Sequence, residues 1–116
     1  MTDVVIEKDA LLRLLKVIGG DPEDLQELLE DFEETTPNTL QEMKDAAANG
    51  DLAALRISSH SLKANGRDFG AMALARACEH LEEACRNGTV GDPVAEVDAI
   101  SAELTRARAA LSEVSL

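Results

Sequence analysis

Aromatic side chains are nearly absent: Phe32 and Phe69 are the only two, and neither Trp nor Tyr occurs. A sugar or cofactor pocket lined with rings is therefore not expected. Positive charge is also scarce, with 11 Lys+Arg against 23 Asp+Glu and a net charge of −12. That balance argues against nucleic acid, which needs a basic face and, for single strands, stacking rings. No apolar run approaches the ~20 residues of a membrane span. Residues 1–7 lack the basic-then-apolar layout of a signal peptide. No membrane association is expected, and the expected location is cytoplasmic. Cysteine is limited to Cys78 and Cys85. On one helix that spacing is roughly 10 Å along the axis, too far for a disulfide, and fits a reducing compartment. Asn87-Gly88-Thr89 matches a glycosylation sequon, read here as chance. What is present suffices for one core: 116 residues, 45% of them hydrophobic, predict a single domain over 1–116.

Glycine and proline cut the chain into helical pieces. Gly19-Gly20-Asp21-Pro22 reads as a helix stop followed by a start, with Asp21 as N-cap and Pro22 at the first helical position. Asn49-Gly50-Asp51 repeats that logic, Asn87-Gly88 ends another segment and Gly91-Asp92-Pro93 opens the last. Helices are predicted near 9–18, 22–49, 51–69, 71–87 and 93–114. Pro37 lies inside the second, so a kink or break near Thr35-Thr36 is expected. The stripes are seam-like. They are Leu25, Leu28, Leu29, Phe32, Leu40, Met43 and Ala47 on the second helix, then Leu52, Leu55, Ser59, Leu62, Gly66 and Phe69 on the third. The fourth carries Ala71, Leu74, Cys78, Leu81 and Cys85, and the fifth Val97, Ile100, Leu104, Ala107, Leu111 and Val114. The expected fold is all-α: an antiparallel up-down-up-down four-helix bundle with a short extra N-terminal helix across one end.

The third helix carries the unusual face. At about 100° per residue, His60 points roughly 140° from its seam, and Ile57 and Ala64 about 160° and 180°. An exposed Ile beside a His is not the usual solvated face. Residues 56–67 hold Arg56, Lys63 and Arg67 and no acid, whereas residues 21–43 hold nine acids and no base. Positive charge gathered around one exposed imidazole suits a phosphorylated ring, which gains nearly two negative charges. Neutral imidazole is also a competent nucleophile near pH 7.

The stretch His60-Ser61-Leu62-Lys63-Ala64-Asn65-Gly66-Arg67-Asp68-Phe69-Gly70-Ala71 resembles the H-x-L-K-G signature of histidine-containing phosphotransfer (HPt) domains, with its trailing small residues and Gly-Ala. Leu74, Cys78, Leu81 and Glu82 resemble the family's downstream pattern. The spaced leucines between Asp21 and Phe32 resemble its opening, and Gly50-Asp51 its turn before the histidine helix. The resemblance implies that His60 accepts a phosphoryl group on Nε2 and that Lys63 assists with it. Ala64 departs from the usual Gly. Gly66, on the seam, is read as a close-approach residue.

The resemblance further implies a phosphorelay intermediate of two-component signalling, a phosphocarrier and not an autonomous catalyst. Its partners would be response-regulator receiver domains, which bind Mg²⁺ themselves, and a hybrid sensor kinase upstream. Arg56, Ile57, Ala64 and Arg67 are the expected receiver-docking residues, and the chain is expected to be a monomer. No cofactor is expected: the sequence has no G-x-G-x-x-G and no Walker loop, hence no ATP site. A competing reading is a non-phosphorylated helical-bundle module that docks a receiver, but such a module has no use for His60 with Lys63. A di-metal bundle needs inward Glu-x-x-His sets, and neither His60 nor His80 lies on a seam.

Overall fold

The computed structural model describes residues 5–114. Five helices and no strands occur among them: α1 (Lys8–Val17), α2 (Pro22–Asn49), α3 (Leu52–Asp68), α4 (Met72–Asn87) and α5 (Pro93–Ser112). The starts of α2, α3 and α5 follow from aspartates. Asp21, Asp51 and Asp92 accept hydrogen bonds from the backbone N–H of Glu23, Ala54 and Ala95 at 2.9, 3.1 and 3.1 Å. Each satisfies a donor that the first turn would otherwise leave unpaired, worth about 1 kcal/mol. α2 and α4 end on Gly50 and Gly88 at φ 67° and 68°, a conformation in which a Cβ is strained.

Of the kink or break expected near Thr35-Thr36, the break is not there: α2 runs unbroken through Pro37. Proline removes the N–H that would bond the Glu33 carbonyl and crowds the preceding turn. Here the threonines tie the neighbouring backbone together. Thr36 Oγ1 donates to Phe32 O at 2.6 Å, and Thr35 Oγ1 donates to Asp31 O. Phe32 and Thr36 are both buried, so tertiary packing holds the turn before Pro37 in place.

α2 packs on α3, α3 on α4, α4 on α5 and α5 back on α2, with α1 against α2 and α3. The predicted seams form the core. Met43, Leu55, Leu62, Leu81 and Cys78 are wholly buried, and each such leucine contributes roughly 1.5–3 kcal/mol by leaving water. Ser59 sits on the seam without penalty, because its hydroxyl donates to Leu55 O at 2.7 Å. The only two aromatic rings meet: Phe32 and Phe69 have centroids 4.9 Å apart, tilted by 54°. α1 is fastened at its entry, where Glu7 N–H donates to Gly70 O at 2.9 Å. Gly70 has φ 78°, and a Cβ there would lie 2.5 Å from Glu7 O.

Two helices approach unusually closely at Gly66. A Cβ on that residue would meet Ala71 O and Ala75 N at 3.3 Å. The α3–α4 interface is the most extensive in the molecule, and its small residues set its spacing. Among the described residues no helix is long and apolar enough to cross a membrane.

Candidate functional site

The close α3–α4 contact brings His60 and Glu82 together. Glu82 is buried although it carries a charge, and such groups persist only when paired. Its two oxygens are both used. His60 Nδ1 lies 2.7 Å from Oε2, and Lys63 Nζ donates to Oε1 at 2.5 Å. The side chains of Glu82 and Lys63 are 5% and 15% exposed, whereas that of His60 is 62% exposed. The ring is thus held at one nitrogen and open at the other.

The charge state follows from these contacts. The hydrogen bond from Lys63 holds the Glu82 carboxyl below its ordinary value of 4.5, against the opposing effect of burial, with the His60 bond adding to Lys63. An ionised carboxylate has no proton to give, so Nδ1 must carry one. In the neutral ring that leaves Nε2 as the lone-pair nitrogen, facing outward. Because the folded-state value is depressed, the stabilisation from Glu82 is fully present above pH 4.5 and is lost as pH falls through the folded value. Acidification below about pH 4.5 is therefore expected to lower the melting temperature, and Glu82→Gln is expected to make that fall shallower. Melting curves of both proteins from pH 3 to 7 check this.

The other expected site residues divide. Ile57 is 62% exposed, and Arg56 and Ala64 are exposed beside it on α3. Arg67 leans away toward α4, where it donates to Glu79 at 3.1 Å. Sequence reading missed two members. Glu82 stands one turn after the buried Cys78, a helical count that places it at the edge of the core. Arg86 stands one turn further, its guanidinium 3.7 Å from Glu82 Oε2. Arg56, Ile57, His60, Ser61, Glu82 and Arg86 together line a groove of about 300 Å³. A larger depression of about 470 Å³ between α2 and α5 is bordered by Glu30, Glu33 and Glu34 and is lined by neither imidazole nor thiol.

His80 is exposed on α4, away from the core. Cys78 and Cys85 are free and buried. Burial, reinforced by the nearby Glu82 charge, pushes the Cys78 thiol up to about 12, so it stays protonated and unreactive. Among the described residues no cluster could hold a metal ion.

The family model of the Hpt domain matches residues 27–110. No curated protein sequence matches the chain. The crystal structure of histidine-containing phosphotransfer protein B from Pseudomonas aeruginosa PAO1 is similar over 97% of this chain and 95% of that one, at 26% identity and a TM-score of 0.86. With an open imidazole at the α3–α4 interface and a matching fold throughout, the chain belongs to the Hpt domain family, whose members relay phosphoryl groups on histidine.

Proposed function

We propose that His60 is the phosphoryl acceptor of a relay that runs from one receiver-domain aspartate to another. The observation that carries this is the 62% exposed His60 ring bound through Nδ1 to the Glu82 carboxylate. The Nε2 lone pair attacks the phosphorus of the aspartyl phosphate. The P–N bond forms, the P–O bond breaks, and its electron pair leaves on the aspartate as a free carboxylate. The ring becomes a cation, and its Nδ1–H then faces an anion already in place. That bond strengthens as the ring gains charge, which favours transfer. Lys63 keeps Glu82 ionised and pointed at the ring. The receiver supplies Mg²⁺ and the acidic pocket, so this chain is a carrier and not a free-standing enzyme.

The whole chain acts as one monomeric domain in the cytoplasm, downstream of a hybrid sensor kinase. Short connections and the cyclic packing α2–α3–α4–α5 support an antiparallel up-down-up-down bundle. Incubation with phosphorylated receivers, followed by assay for an acid-labile, base-stable phosphate on this chain, tests the function. A chain that stays unlabelled with every competent donor refutes it.

Docking centres on Ile57 and Ala64, with Arg56 and Arg67 at the rim. Interface centres are depleted in charge, and rim charges mainly speed encounter. Ile57→Asp is expected to weaken receiver binding by more than about tenfold while leaving the melting temperature near that of the parent. Calorimetric titration beside a melting curve reads both. A large loss of stability would mean Ile57 serves the core.

A further inference from the structure

Four cations lie along the α3–α4 face that carries His60, and they differ in what they already hold. Lys63 is committed: its ammonium sits 2.5 Å from Glu82 Oε1, mostly out of solvent. Arg67 is engaged by Glu79 at 3.1 Å. Arg56 and Arg86 stand toward the other end of the site. The pairing of His60 with Glu82, and of Arg67 with Glu79, places α4 so that Arg86 comes beside Arg56. Both line the groove next to the ring. The contact of Arg86 with Glu82 Oε2, at 3.7 Å, is too long for a hydrogen bond. That oxygen is the one that accepts from His60 Nδ1, so the guanidinium is one carboxylate oxygen removed from the ring. Its side chain is 58% exposed and free to move.

We propose that Arg86, seconded by Arg56, binds the phosphoryl group carried on His60 Nε2, and that Lys63 acts on Glu82 instead. The inference rests on the phosphocarrier reading and deepens it. A phosphoryl group adds nearly two negative charges close to Glu82. With the ring cationic and Lys63 on the carboxylate, one negative charge remains uncompensated at the site. Moving Lys63 onto the phosphoryl group would strip a buried carboxylate of its strongest partner, a costly exchange. Moving Arg86 gives up only a long, solvent-screened contact. A guanidinium also offers paired N–H donors that match two phosphoryl oxygens, which an ammonium does not. The groove is open to solvent, so the arrangement needs no rearrangement of the bundle.

The test uses the full chain and potassium phosphoramidate, a small donor that removes receiver docking from the measurement. Nε2 forms the new P–N bond, the bond to ammonia breaks, and ammonia leaves with that electron pair. Arg86→Ala is expected to load about tenfold more slowly than the parent, with Arg86→Lys recovering part of the loss and Arg56→Ala showing a smaller one. Phosphorus-31 resonance of the loaded proteins reads the charge at the phosphoryl group directly. Without Arg86 its protonation midpoint is expected to rise by roughly half a pH unit or more. Lys63→Met is expected to slow loading and to move that midpoint less than Arg86→Ala does, because it acts through Glu82. Melting curves of the arginine variants are expected to match the parent, since both side chains are exposed.

Arg86→Ala loading at the parental rate with an unmoved midpoint overturns the inference, as does a midpoint that moves in Lys63→Met and not in Arg86→Ala. In either case a normally labelled parent leaves the phosphocarrier reading standing. A parent that accepts phosphate from neither phosphoramidate nor a phosphorylated receiver removes both.

Discussion

His60→Gln is expected to abolish phosphate acceptance, with labelling from a phosphorylated receiver falling below detection. No other side chain in the groove offers a lone-pair nitrogen: Arg56 and Arg86 are guanidinium cations, and Ser61 has only a weakly nucleophilic hydroxyl. The fold is expected to persist. The His60 side chain is 62% exposed and reaches one partner, Glu82, toward which the glutamine amide can still donate. Substitutions at such surface positions usually stay within about 0.5 kcal/mol, so the melting temperature is expected to move by no more than a few degrees. Acid-labile, base-stable label is measured beside thermal unfolding. Residual label at the parental level would move the acceptor elsewhere, and unfolding would mean the ring is structural.

The largest loss of stability is expected from Gly66→Val. A Cβ alone would press on the Ala71 carbonyl oxygen and the Ala75 backbone nitrogen at 3.3 Å. Neither is the flexible end of a side chain that can turn aside. Two further methyl carbons have nowhere to go unless α3 and α4 separate. Overpacking of this kind costs on the order of 3 kcal/mol, a drop of roughly 10 °C or more for a domain of this length. The same separation lengthens the reach from His60 to Glu82, so acceptance is expected to fall together with stability. Chemical denaturation and phosphate loading of one preparation measure the two effects. Gly66→Val melting with the parent would show that the helices yield there without strain.

The helices were legible because their ends are punctuated and their middles periodic: aspartate precedes α2, α3 and α5, glycine follows α1 to α4, and apolar residues recur every third or fourth position between. His60 stands out along the sequence as a lone imidazole beside Ile57 on a face that should be solvated, and its role rests on the resemblance of His60 to Ala71 to the H-x-L-K-G signature. At Pro37 the break, one of the two outcomes expected, is overridden by the burial of Phe32 and Thr36 and by threonine hydroxyls that no periodicity reveals. Glu82 went unplaced for a different reason. Its position at the core edge follows from Cys78 one turn earlier, but its choice of His60 and Lys63 depends on how α3 and α4 are turned against each other. That rotation is invisible along either helix alone. Arg86 depends on the same relation between helices.

The meeting of Phe32 and Phe69, with no indole or phenol elsewhere in the chain, has an optical consequence. The protein is nearly dark to excitation at the wavelengths that light up tryptophan. In a mixture, intrinsic emission therefore comes from the receiver alone, and a titration needs no dye and no subtraction. The phenylalanine pair supplies the complementary signal: its weak near-ultraviolet dichroism arises where α2 meets the end of α3, far from the open face of the imidazole. Receiver emission that changes while this dichroism stays constant would report docking onto an unaltered bundle. A joint change would report that the partner reaches the core.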